Sequence, residues 1–134
     1  MHTTNYFNAF LEPAEDCPVL ESEIPKMRGE SKSVALLQFE MIAHHPYQYT
    51  SDEVLFSIYA LRNNLSQNQT EKEIFFSRGQ ACFRASPLTK RYGWGIHFDE
   101  KGRMALYNFD SPDYQKLKNN PDLTLVKAMR NKRK

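Results

Sequence analysis

The stretch Gly79–His97, GQACFRASPLTKRYGWGIH, gathers the side chains of this sequence best suited to holding a ligand. Arg84, Lys90 and Arg91 bring positive charge, Tyr92 and Trp94 bring aromatic faces, and Ser86 and His97 bring polar groups. Ser86-Pro87 reads as a helix cap followed by proline at the first helical position. Backbone N–H groups beyond Ser86 would point at an oxyanion, which an arginine grips through two parallel bonds. Tyr92 or Trp94 would stack on a planar group. The chemistry suggested is binding of a small phosphate- or carboxylate-bearing ligand. The same residues also suit plain structure, with Ser86 as a cap, Gly93 ending a turn, Gly95 in a bulge and Trp94 in the core.

Other residues offer rival chemistry. His97 alternates with Ile96 along a strand-like run, so it faces away from the core or into a cleft, where it could act as a general base. Cys82 would be a nucleophile if Arg84 or His97 lowered its pKa. Cys17 precedes Pro18 in an acidic loop, a setting that disfavours the thiolate. His44 and His45 are adjacent, point about 100° apart on a helix and suit its C-terminus better than a metal site with His2. No metal or other cofactor is expected.

Charge is unevenly placed. Residues 1–77 hold 11 acids and 5 bases, whereas residues 78–134 hold 5 acids and 13 bases. The closing KAMRNKRK carries five bases and no acid. Such a half can track nucleic-acid phosphates, but the two halves can equally neutralise each other within one fold. No RNP-type strand, KH loop or zinc finger accompanies the charge, so nucleic acid is a possible partner and not the favoured one. The favoured partner is a small anionic ligand, with a homodimer through a sheet edge as a further option.

Length and composition set the frame. The 134 residues, 40% of them apolar and 25% charged, suit one globular domain spanning 1–134. No run approaches the ~20 apolar residues of a membrane span, and the opening MHTTNYFNAF lacks a secretion signal. Two cysteines outside any CxxC pattern suit a reducing cytoplasm. A Cys17–Cys82 bridge is open but has no support in spacing.

The elements that must carry these residues follow from local patterns. Thr3–Glu12 reads as a strand and Pro13–Glu30 as a loop. Ser31 or Ser33 caps a helix through His44, and Ser51 caps a second whose buried face is Val54, Leu55, Ile58, Tyr59 and Leu61, with a strand as the rival over 54–61. Thr70-Glu71-Lys72-Glu73 matches a capping box, and Gln80–Ala85 reads as a strand. Tyr92–Phe98 and Arg103–Phe109, joined by Asp99-Glu-Lys-Gly102, form a hairpin. Ser111-Pro112 opens another short helix. Leu123–Met129 reads as a strand or a short helix, and residues 130–134 as a frayed tail. The expected class is α+β: a small, largely antiparallel sheet with helices packed on one face. No Gly-rich phosphate loop lies between a strand and a helix.

Several of these stretches carry a resemblance. MHTTNYFNAF with EDCP at 15–18, LQFEM at 37–41, YTSDEVLF at 49–56, the 79–97 block and VKAMRNKR at 126–133 resemble an uncharacterised family of small bacterial and fungal proteins, a domain of unknown function. The resemblance implies a single domain and brings no catalytic residue with it. It draws attention to the 79–97 block without deciding between a pocket and a fold signature.

Overall fold

Side-chain caps decide where the helices begin. In the computed structural model, which describes residues 1–132, Ser33 Oγ accepts from the Leu36 N–H and opens α1, Val34–His44. Thr50 and Glu53 exchange bonds in a capping box at the head of α2, Ser51–Arg62. The cap falls on Thr50 and not Ser51, because only Thr50 has a glutamate three residues on to return the bond. Asn68 caps α3, Gln69–Phe75, ahead of the expected Thr70. Ser86 opens α4, Pro87–Lys90, and Ser111 opens α5, Pro112–Lys118, each with proline in the first turn.

The strands are β1 (Ala9–Glu12), β2 (Met27–Arg28), β3 (Ser31–Lys32), β4 (Trp94–Phe98), β5 (Met104–Asn108) and β6 (Thr124–Lys127). Four of them form one sheet in the order β5-β4-β1-β6. β1 is antiparallel to β4, β4 is antiparallel to β5, and β6 runs parallel to β1 with Ala9 opposite Thr124. β2 and β3 make a separate two-stranded ribbon. This is the expected α+β class with a largely antiparallel sheet. It also settles 54–61 as helix and 124–127 as strand.

Alternation along the strands sorts the two faces. Ala9, Leu11, Ile96, Phe98 and Met104 join Ile42, Val54, Ile58 and Leu88 in the main core, which α1, α2 and α4 cover. Phe10 and Gly95 face the other way, where Tyr114 of α5 closes over them with its ring 4.9 Å from that of Phe10. β1 is thus buried on both faces, and all four of its residues are buried.

Three local expectations are corrected. Residues 3–8 do not join the sheet, because the Thr4 N–H and both threonine hydroxyls bond Asp52 and Asn8 turns the chain at φ 48°. Gln80–Ala85 is a loop ending in a 3-10 turn, Phe83–Ala85, anchored by the buried Phe83. The 13–30 loop ends in strand β2, which turns through Gly29 into β3.

The tail expected to fray is held as far as Lys132. The Asn131 and Lys132 N–H groups donate to the Asp16 carboxylate at 2.9–3.0 Å, and Arg130 Nη1 reaches Glu15 at 2.8 Å. The rest of that tail, 133–134, lies outside the described residues. The Asn131 backbone N–H, with Lys132 and the Asn131 side chain, holds the Asp16 carboxyl down to about 2 from the usual 3.8. A carboxyl lowered on folding stabilises the attached form above its unfolded pKa, and that contribution fades as pH falls toward the folded value. The tail should therefore stay bound at pH 4 and release as pH approaches about 2. Amide shifts of Asn131 followed by NMR would check this, and a midpoint near the usual carboxyl value would contradict it. Asp16→Asn should loosen the tail at neutral pH.

Candidate functional site

Within the 79–97 block, Arg84, Lys90 and Arg91 are tied to the 127–131 segment, whereas Trp94 and His97 engage other parts of the fold. Arg84 Nε donates to the Lys127 carbonyl at 2.7 Å, and Arg91 Nε reaches Asn131 Oδ1 at 3.4 Å. The Lys90 carbonyl accepts from Asn131 Nδ2, and the Tyr92 carbonyl accepts from the Glu23 N–H. Trp94 packs on Phe39 and donates its indole N–H to the Glu23 carbonyl at 2.8 Å. Gly93 takes a φ of 78° to end the α4 turn, while Gly95 sits in regular register opposite Tyr107 and not in a bulge.

His97 and Cys82 are also separated. His97 lies on the α5 side of the sheet, where its Nδ1 shares a 2.8 Å hydrogen bond with the Tyr47 hydroxyl. Tyr47 in turn bonds the Tyr107 hydroxyl at 2.6 Å. Burial lowers the His97 pKa and raises that of Tyr47, so the pair rests as neutral imidazole and intact phenol. Cys82 is on the core side, 3.5 Å from the hydroxyl of Tyr6, whose ring packs on Phe98. Both cysteines are free thiols.

A larger cleft lies elsewhere, between α1, α2 and the end of α3. Val34 and Gln38 are one turn apart on α1. Leu55, Ile58, Tyr59 and Arg62 fall at i, i+3, i+4 and i+7 on α2, so each set shares one helical stripe. Together with Phe75, Gln80 and Ala81 they line a cleft of about 480 Å³. Tyr59 and Phe75 stand with ring centroids 4.5 Å apart. The volume is that of a small-molecule site, and apolar walls with a few fixed polar groups are the usual lining.

Gln38 is a buried polar group on its wall. It is only 4% exposed. Ser86 Oγ accepts from the Leu88 N–H and donates its own proton to Gln38 Oε1 at 2.6 Å. With the oxygen engaged, Gln38 has its amide N–H₂ to offer the cleft. Ser86, expected among the ligand-binding residues, thus fixes the orientation of the Gln38 side chain. Gln80 and Ala81 likewise give the 79–97 block a share in the wall.

Arg62 and Val34 are shared with an adjoining hollow of about 620 Å³ that Arg28 and Lys32 also line. Lys32 is paired to Glu40 at 2.8 Å. Arg28 and Arg62 are exposed and make no ion pair among the described residues. The apolar cleft thus opens onto a basic shelf. Its sequence signal was Gln38 itself: a polar residue four positions after Val34 and four before the buried Ile42, inside the apolar stripe of α1.

Fold and cleft define a single-domain α+β protein with an apolar-walled, basic-rimmed surface site. Among the described residues no helix is long and apolar enough to cross a membrane, and no group of three or more His, Cys, Asp or Glu is gathered as for a metal ion. The chain belongs to the family described as "Family of unknown function (DUF6157)", which matches residues 1–134. No curated protein and no solved structure matches it.

Proposed function

We propose that the protein is a cytoplasmic binding module for a small molecule that joins an apolar or aromatic body to a phosphate or carboxylate. The body lies against Ile58, Tyr59 and Phe75, an acceptor on it takes the Gln38 amide, and the anionic group meets Arg62 and Arg28. The observation that carries this reading is Gln38: a buried amide, oriented by Ser86, at the wall of the cleft beside an exposed arginine. The ligand class is the one the sequence suggested, while the seat moves from Arg84, Lys90 and Arg91 to the α1–α2 cleft.

Phenyl phosphate, benzoate and octanoate are suitable probes, with inorganic phosphate and acetate as body-free controls. At ~100 times its dissociation constant a ligand of the folded state adds about 2.7 kcal/mol of stability, readily seen as a rise in melting temperature. The amphiphilic probes should raise it and the controls should not. Arg62→Ala should weaken binding about tenfold, the scale of one charge-assisted contact. Gln38→Leu should do the same while circular dichroism stays native. Equal affinity in both variants, or no response to any probe, would overturn the assignment.

A further inference from the structure

A second cavity, of about 280 Å³, opens on the opposite side of the sheet, under the Cys17–Leu20 loop and beside α5. Glu12, the last residue of β1, lies on its wall with its side chain only 8% exposed. Buried carboxylates ordinarily collect short donors, because an under-paired charge in a protein interior is costly. Glu12 has few. Its nearest cation is Lys118 Nζ at 3.6 Å, on a side chain that is half exposed, and that spacing is longer than a direct hydrogen bond. The Tyr114 hydroxyl is within hydrogen-bonding reach of Glu12, and burial, the Glu12 charge and that bond together raise its pKa.

The other groups on the wall narrow the chemistry. Glu15 is already engaged by Arg130 at 2.8 Å. Lys127 stands opposite Glu12 in the parallel β1–β6 register, and Lys118 follows Tyr114 by one turn of α5. The cavity is therefore lined by one buried carboxylate and two lysines. Val19, Leu20 and Phe109 give the wall an apolar part. A simple anion would meet Glu12, and a simple cation would meet both lysines. A molecule with both charges and a short apolar tail satisfies all of them.

We infer that this cavity binds a small zwitterion of the α-amino acid type. Its ammonium group takes Glu12, its carboxylate takes Lys118 and Lys127, and its side chain rests on Val19, Leu20 and Phe109. The site is independent of the α1–α2 cleft.

Calorimetric titration of the full chain at neutral pH tests the inference. The probes are L-leucine, L-methionine and L-phenylalanine, with 3-methylbutylamine and 4-methylpentanoate as the two halves of leucine. At least one amino acid should bind saturably, and the leucine fragments should bind about tenfold or more weakly than leucine, since each lacks one charged contact. Glu12→Gln should weaken the amino acid about tenfold and leave 4-methylpentanoate unchanged or tighter. Should that variant fail to fold, NMR of the wild type gives the answer. Shifts on titration should centre on Tyr114, Phe109 and Cys17. Shifts centred on Gln38 and Tyr59, fragments that bind as tightly as leucine, or no saturable heat from any amino acid would overturn the inference.

Discussion

Gly95→Ala should be among the most damaging single-methyl changes in this protein. A Cβ at that position would stand 2.8 Å from Phe10 Cζ and 2.8 Å from Tyr114 Cε2. Neither ring has room to retreat. Phe10 is fully buried on the central strand, and Tyr114, 2% exposed, is backed by Phe109 with ring centroids 5.2 Å apart. Alanine would lower the entropy of the unfolded chain, a gain of about 0.4–1 kcal/mol where the site tolerates it. Forcing a methyl group into a filled core costs about 1–3 kcal/mol, and here contact with two rings at once places the loss at the upper end. Urea unfolding would measure it, with Phe10→Leu in the same chain recovering part of the loss. Wild-type stability in the single variant would show that the rings yield and that the tight fit is unimportant.

Asp52→Ala should act on a different part of the structure with comparable force. The Asp52 carboxylate accepts from Thr3 Oγ1 at 2.6 Å, the Thr4 N–H at 2.7 Å and Thr4 Oγ1 at 2.7 Å. Asp52 N–H donates in turn to Asn5 Oδ1. Asp52 and Thr4 are both buried, so removal of the carboxylate strands donors away from water. Hydrogen bonds to a charged group contribute about 1.5–3 kcal/mol each, and an orphaned buried donor adds about 1–3, so a total loss of roughly 3 kcal/mol allows for some relaxation. Asp52 also lies in the first turn of α2, where a negative charge suits the helix dipole. Asp52→Asn should recover only part of the loss, since its N–H₂ meets other donors. Hydrogen exchange at the Thr4 amide reports the effect locally, and undiminished protection in Asp52→Ala would refute the account.

Features governed by near neighbours were legible in the sequence. Ser86-Pro87 and Ser111-Pro112 announced α4 and α5 because a cap and a proline act within one turn. Asp99–Gly102 announced the hairpin because its geometry is closed by its own residues: the Asp99 carboxylate accepts from the Lys101 and Arg103 N–H groups. Features that depend on distant partners were not. Thr3 to Asn8 has the composition of a strand, but its polar groups answer to Asp52. Gln80–Ala85 alternates well enough for a strand, yet the neighbouring edge of β6 is met by Arg84 through its side chain and carbonyl, at Lys127 and Met129. The cleft joins residues from Val34 to Ala81, so no local window displays it. Gln38 was visible as a break in an apolar stripe, but its orientation required Ser86, forty-eight positions away. The charge asymmetry of the two halves is met in part within the fold, where Glu15 pairs with Arg130 and Glu12 with Lys118.

The parallel pairing of β1 with β6 has a consequence for synthesis. β1 is made well before β6, and one of its edges stays open until Thr124–Lys127 has been made. Over that interval the nascent chain carries an apolar strand, Ala9-Phe10-Leu11, first with no partner and, once β4 is made, with one edge still unpaired. Sheets closed by contacts of such high order form slowly and expose edges to other chains meanwhile. A chain stopped short of residue 124 should therefore be a client for chaperones and prone to aggregate, whatever the quality of its helices.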